Sequence, residues 1–132
     1  MALVALCFAA TSALCPDLDT TLKKSDFDTA NIVLGGNLVS MREVNVKQYG
    51  HHYHHMELNM RYDNFYKWKS EFRQDLAPNQ LTMPMSTYER CNQKYIIGNV
   101  YIVGCLNLHR CFFMKRFNNF TEEEWHLLNG RS

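Results

Sequence analysis

The chain has 132 residues, with 14 Lys and Arg against 13 Asp and Glu, and a formal net charge of +1. This length fits one domain, and a near-neutral charge without a basic run excludes the electrostatic footprint of a nucleic-acid-binding protein. A hydrophobic share of 46% is too high for a disordered chain, and no apolar run reaches the ~18 residues of a membrane-spanning helix. The composition therefore predicts one small globular domain.

The N-terminus has the layout of a secretory signal peptide. Residues 1–13 contain no charged side chain and have an apolar centre, and Thr11 and Ala13 are the small residues expected before a cleavage site. We therefore expect a signal peptide over residues 1–13, a single mature domain over residues 14–132, and secretion from the cell. A buried N-terminal helix is the alternative interpretation.

Four cysteines remain after such a cut: Cys15, Cys91, Cys105 and Cys111. An even number in a small exported domain predicts two disulfide bonds, for which three pairings are open. The chain has no CxxC pair, which argues against a zinc knuckle. Asn119 begins an Asn-Phe-Thr glycosylation sequon, and this agrees with export.

The first elements in chain order are a polar lead-in over residues 17–28 and a short strand over 38–41, after the Gly-Gly-Asn break at 35–37. The strongest pattern follows at residues 56–73. Apolar and polar side chains alternate there with a period of two on both sides of Asp63-Asn64. Because Asp-Asn is typical of a turn, this pattern predicts a β-hairpin.

Further strands are predicted at residues 81–83, 95–103 and 109–117, which are apolar or rich in β-branched and aromatic residues. The last element is a helix, because Thr121 and Glu124 have the spacing of a capping box. Gly130 is placed to end this helix. The sequence therefore predicts a mainly β domain with a short C-terminal helix.

Several segments resemble lipocalins, and they occur in the order of that family. Phe27-Asp28 and residues 36–41 (GNLVSM) resemble the FD…G-x-W-Y opening of its first barrel strand, with Leu38 where the family usually has Trp. Residues 100–105 (VYIVGC) resemble a later strand, and 112–116 (FFMKR) its last strand before a capped helix. The remaining matches are Cys15-Pro16, which looks like the start of insecticyanin-like and apolipoprotein-D-like members, and the middle strand at 81–83.

This resemblance to the lipocalins, of the calycin superfamily, implies an antiparallel up-and-down β-barrel with a short C-terminal helix. The chain ends soon after that helix, so the implied barrel is a shortened and incomplete one. The resemblance also implies a disulfide between Cys15 and Cys105, which would leave Cys91 and Cys111 for a second bridge. No sequence feature indicates an oligomeric state.

A lipocalin barrel implies sequestration or transport of a small hydrophobic ligand, such as a lipid, a pigment, haem or an amine, without a dedicated cofactor. Aromatic rings give rigid apolar walls and Met adapts to irregular shapes, whereas a plain core favours Val, Ile and Leu. The alternative is that the apolar face of the alternating segment packs a solid core instead of lining a cavity. The protein would then be a secreted effector or toxin-type module that contacts another protein. The predicted ligand-lining residues are Met56, Leu58, Met60, Tyr62, Tyr66, Trp68, Phe72 and Tyr101.

The histidine cluster at residues 51–55 is the most conspicuous polar feature. In an extended strand His52 and His54 share one face, which makes them weak candidates for zinc or copper ligands. A closed site needs further ligands, so adventitious metal affinity is the simpler interpretation. No G-x-S-x-G, HExxH or phosphate-binding glycine loop occurs, and we therefore expect a protein that is not an enzyme.

Overall fold

The computed structural model of the protein describes residues 10–11, 20–69, 71–91 and 94–130. Strands predominate in these residues, as the sequence predicted, and a short C-terminal helix follows the last strand. The elements are β1 (Ala10–Thr11), α1 (Lys24–Thr29), β2 (Ile32–Gln48), β3 (His51–Trp68), β4 (Gln80–Pro84), α2 (Met85–Glu89), β5 (Val100–Asn107), β6 (Arg110–Arg116) and α3 (Glu122–Leu128).

Five antiparallel strands form one open sheet in the order β4-β3-β2-β5-β6. The two-residue β1 pairs in parallel with β4 and β6 and closes the sheet into a barrel. β1 belongs to the segment predicted to be a signal peptide, and the remainder of residues 1–13 lies outside the described residues. The order differs from an up-and-down barrel because β5 pairs with β2 instead of β4. The connection through α2 therefore carries the chain from one side of the β2–β3 pair to the other.

The prediction of a hairpin with its turn at Asp63-Asn64 is wrong, because β3 continues through these residues as one strand of 18 residues. A β-bulge takes the place of the turn. Gly35 pairs with Asn64 and Gly36 pairs with Tyr62, so that Asp63 is the extra residue on β3. The turn-favouring residues therefore bend the strand locally without ending it.

The sheet buries apolar side chains on both faces. α1 and α3 cover the outer face of the sheet. Phe27 of α1 packs there against Phe113 and Phe120, with ring centroids 5.8 and 6.1 Å apart. The lead-in predicted for residues 17–28 therefore contains a helix that contributes to the core. The inner cluster comprises Ile32, Leu34, Leu38, Met56, Leu58, Met60, Leu81, Met83, Cys91, Tyr95, Tyr101, Val103, Cys105, Cys111 and Met114.

The predicted C-terminal helix is confirmed in detail. The Glu124 backbone N–H donates to Thr121 Oγ1 at 3.1 Å, and the Thr121 N–H donates to Glu124 Oε1 at 2.8 Å, which is a capping box. Gly130 has a φ of 78° and its N–H donates to the Leu127 carbonyl, so it ends the helix. No helix in the described part of the chain is long and apolar enough to cross a bilayer.

Candidate interaction surface

Most of the predicted ligand-lining residues lie together on the inner face of the barrel. Met56, Leu58, Met60 and Tyr101 are buried there, and Tyr62, Trp68 and Phe72 are partly buried against them. Leu58 and Tyr101 expose 0% of their surface, as do Leu34 and Leu38 beside them. These side chains therefore pack directly on one another and form a core.

Tyr66 lies on the opposite face from the other predicted lining residues, so its assignment to the inner face is wrong. Val33 pairs with Lys67 and Leu34 pairs with Phe65, which makes Tyr66 the extra residue of a second bulge. Its ring packs against Trp125 of α3 with centroids 5.5 Å apart. The bulge interrupts the period of two on which the prediction depended.

The polar atoms of Tyr62 and Trp68, two aromatic residues of the inner face, form hydrogen bonds within the protein. The Tyr62 hydroxyl donates to the Pro78 carbonyl at 2.6 Å, and Trp68 Nε1–H donates to the Phe72 carbonyl at 2.7 Å. Burial raises the pKa of the Tyr62 hydroxyl, which stays a neutral donor. Both rings thus hold β3 to the loop that follows it.

The disulfide pairings implied by the lipocalin resemblance are wrong. Cys105 and Cys111 are bonded to each other, with six residues of separation. They lie directly opposite on the hairpin of β5 and β6, which makes this short cross-link possible. Cys91 is also disulfide-bonded, and Cys15 lies outside the described residues.

A buried ion pair, not foreseen from the sequence, joins β6 to α3. Lys115 Nζ and Glu124 Oε2 are 2.7 Å apart, and their side chains are only 4% and 1% exposed. The Leu22 N–H donates to the same carboxylate at 2.7 Å. Burial alone would raise the pKa of Glu124, but the bonds from Lys115, Leu22 and Thr121 together with the charge of Lys115 lower it.

The asparagine of the predicted glycosylation sequon lies between β6 and α3. Asn119 is the last residue of the 3-10 turn Phe117–Asn119 and is half-buried. Glycosylation at this position stays a prediction.

The β2–β3 hairpin extends beyond the rest of the sheet as a two-stranded ribbon, which we define as residues 43–55. β2 pairs with β5 only through Asn37, and β3 pairs with β4 only from His55 to Asn59. The ribbon strands are six residues or so long, which corresponds to roughly 20 Å. Isolated two-stranded ribbons are marginally stable in water, so this one depends on the barrel at its base.

The turn of the ribbon consists of Tyr49 and Gly50, with φ values of 53° and 77°. Positive φ at both central positions defines a type I′ turn, which matches the twist of a β-hairpin. Tyr49 is 86% exposed at this tip. A large apolar ring is therefore presented at the point of the ribbon farthest from the barrel.

The two faces of the ribbon differ in chemistry. Met56 is on the inner face, and the alternation of the strands therefore assigns Glu43, Asn45, Lys47, His52 and His54 to the same side. The other side carries Val44 and Val46 opposite His55 and Tyr53, with Val46 40% and Tyr53 50% exposed. The ribbon thus has one polar face and a second face, which we call the apolar face, on which Val44, Val46 and Tyr53 lie beside His51 and His55.

The histidine cluster lies in the first residues of β3. His52 and His54 share a face as predicted, and His54 Nε2 lies 2.5 Å from Glu43 Oε1 across the ribbon. Among the residues that the structure describes, no three His, Cys, Asp or Glu side chains come together as metal ligands. Within the described residues, His54 of this cluster thus forms a hydrogen-bonded pair with Glu43, and metal binding by His52 and His54 stays a prediction.

Comparisons with known proteins leave the family of the chain open. No protein-family model matches it, and no curated protein matches its sequence. The chain is similar to the crystal structure of excretory-secretory protein 2 from Ancylostoma ceylanicum, with 15% identity and a TM-score of 0.48. The similarity covers 91% of this chain and 93% of that one. A likeness of this degree assigns no function.

Proposed function

We propose that the protein is a secreted, disulfide-stabilised interaction module with a solid core, which binds a protein partner through the apolar face of the ribbon. The observation that carries the proposal is the ribbon itself, which exposes Tyr49, Tyr53 and Val46. Tyrosine gives a large contact area with a polar end and is enriched at protein interfaces. The packing of Leu58 and Tyr101 on the inner face supports the solid core.

Secretion is the second part of the proposal. The Cys105–Cys111 disulfide supports it, because such bonds persist in oxidising compartments outside the cytosol. The apolar, uncharged segment over residues 1–13 supports it independently. Removal of this segment would also remove β1, so the secreted domain would consist of the open five-stranded sheet.

The experiment first identifies the partner and then measures how much the ribbon contributes to the binding affinity. A photo-crosslinking amino acid in place of Tyr53 captures proteins from the extracellular fluid in which the chain occurs, and the captured protein is purified and titrated. Val46→Ser and Tyr53→Ser remove the apolar side chains, and we expect each to weaken binding about tenfold or more.

The matched control is Leu76→Ser, because Leu76 is 51% exposed and lies away from the ribbon in the 3-10 turn Gln74–Leu76. It should leave the affinity unchanged. Equal losses in the ribbon variants and in this control would contradict the proposal.

A lipocalin-like carrier of a small hydrophobic ligand is the second candidate. It is favoured by the Met and aromatic composition of the inner face, where Tyr62, Trp68 and Phe72 are only partly buried. These three side chains would form the wall of a shallow apolar site, and Trp68→Ala would weaken ligand binding. Such a carrier would retain a stoichiometric ligand through native purification.

A further inference from the structure

The edge of β2 that faces away from β3 has no strand neighbour over most of its length in the described part of the chain. Leu38 makes the final backbone bonds on this side, donating to the Asn99 carbonyl at 3.0 Å and accepting from the Gly98 N–H at 2.8 Å. Residues 39–48 therefore present an open row of backbone donors and acceptors. A strand edge of this kind is a template for pairing with another chain.

We propose that two copies of the protein pair antiparallel along this edge, with a twofold axis at Asn45, to form one four-stranded sheet from two ribbons. The inference goes beyond the proposed function, since it concerns the edge of the ribbon and commits to a second copy as its occupant. Antiparallel pairing of identical strands satisfies the twofold symmetry that homodimers require.

The sequence of the edge is complementary to itself in this register. Glu43 of each copy lies opposite Lys47 of the other, which gives two opposite-charge pairs on the polar face. Val44 lies opposite Val46 of the second copy on the apolar face. Cross-strand pairs of unlike charge and of β-branched side chains both stabilise a sheet, whereas like charges destabilise it.

Neighbouring registers lose this match. A shift by two residues places Lys47 opposite Met41 in one direction and opposite Asn45 in the other, so that neither charge pair forms. A shift by one residue would place apolar side chains opposite polar ones. Charged side chains on an exposed strand usually prevent its pairing with another chain. Here the charges of Glu43 and Lys47 favour pairing in one register.

The tip of each ribbon also finds an apolar site on the other copy. In the proposed register Tyr49 lies opposite Met41 of the second copy, next to Val39, which is 50% exposed. Ile97 is 55% exposed and belongs to the turn that bonds to Leu38 on the same edge. Pairing would cover three apolar side chains that are exposed in the single copy.

The test is a charge exchange measured by sedimentation equilibrium over a range of protein concentrations. The unmodified protein should sediment as a dimer that dissociates on dilution. Glu43→Lys and Lys47→Glu each place like charges opposite one another twice, and we expect each to weaken dimerisation by about tenfold or more. The double variant restores two opposite-charge pairs and should recover the dimer.

Lys69→Glu is the control for Lys47→Glu and Glu71→Lys is the control for Glu43→Lys, because each makes the same change in net charge at an exposed residue outside the edge. Circular dichroism and thermal unfolding verify that every variant folds. A protein that stays monomeric at all concentrations, a dimer that survives both single reversals, or a double variant that does not recover would each overturn the proposal. The charge variants leave Tyr53 and Val46 unchanged, and binding of a different protein is measured in a separate titration, so the two proposals fail separately.

Discussion

At the scale of single residues, Lys115 and Glu124 form the most buried ion pair in the part of the chain that the structure describes. The carboxylate accepts hydrogen bonds from Lys115, from Leu22 before α1, and from Thr121 at the start of α3. One side chain therefore fixes three segments at the outer face of the sheet. The cost of burying both charges is offset only while the pair is complete.

Removal of either partner should destabilise the fold strongly. We expect Glu124→Gln and Lys115→Met each to lower the free energy of unfolding by about 3–5 kcal/mol, because each leaves a buried group without its partner. The control is Lys24→Met, which breaks the exposed pair with Asp28 and should cost under ~1 kcal/mol. Urea denaturation measures the free energy of unfolding of all three variants. Equal losses in the buried pair and in the exposed pair would contradict this prediction.

The same pair predicts the pH dependence of stability. The pKa of Glu124 is lowered from its ordinary value of 4.5 in the folded state. Its ionised form therefore stabilises the fold fully above that value, and the contribution is lost as the pH falls through the lowered pKa. Denaturation curves of Glu124→Gln should show a shallower loss of stability over this acidic range than those of the unmodified protein.

The residues of this pair show what the sequence predicts and what it leaves out. The Thr121–Glu124 spacing was sufficient to predict the capping box, because both partners are local. The contact with Lys115 depends on β6 lying beside α3, which no local pattern encodes. The available signal that this charge needed a buried partner was the position of Lys115, directly after the apolar residues 111–114.

At the scale of elements, β-bulges explain where the sequence pattern succeeded and where it failed. The alternation over residues 56–62 correctly predicted a strand with its apolar side on the inner face. Beyond Tyr62 the extra residues Asp63 and Tyr66 change the phase of the alternation. A period of two cannot distinguish a turn from a bulge, since both use the same residue types.

Gly36 should tolerate no side chain at the first of these bulges. A Cβ atom there would collide with the carbonyl oxygen of Arg61 on β3. We expect Gly36→Ala to destabilise the fold by about 1–3 kcal/mol in urea denaturation, because the backbones of two strands must move apart. Val39→Ala, at an exposed position of the same strand, should change stability by less than ~0.5 kcal/mol. A Gly36 variant as stable as this control would contradict the close approach.

At the scale of the whole molecule, the sequence predicted the mainly β class, but the strand order depended on long-range contacts. β5 pairs with β2 because the chain passes through α2 to the other side of the sheet. The Cys105–Cys111 disulfide lies within the β5–β6 hairpin, and the prediction missed it because the pairing was inferred from the lipocalin resemblance. Seven of the eight predicted lining residues lie on the inner face, but most residues of that face, such as Leu34, Leu81 and Met83, were not predicted. The prediction could not distinguish a hollow barrel from a filled one, since both require the same alternation.

The central claim is that the inner face is a solid core and that function lies on the ribbon. The most direct measurement is mass spectrometry of the natively purified protein, first intact and then after extraction with organic solvent. We expect the intact mass to be that of the polypeptide with its covalent modifications, and the extract to contain no small molecule in stoichiometric amount. A lipid, pigment or amine recovered at one molecule per chain, and lost from Trp68→Ala but retained in Lys67→Ala, would contradict the account.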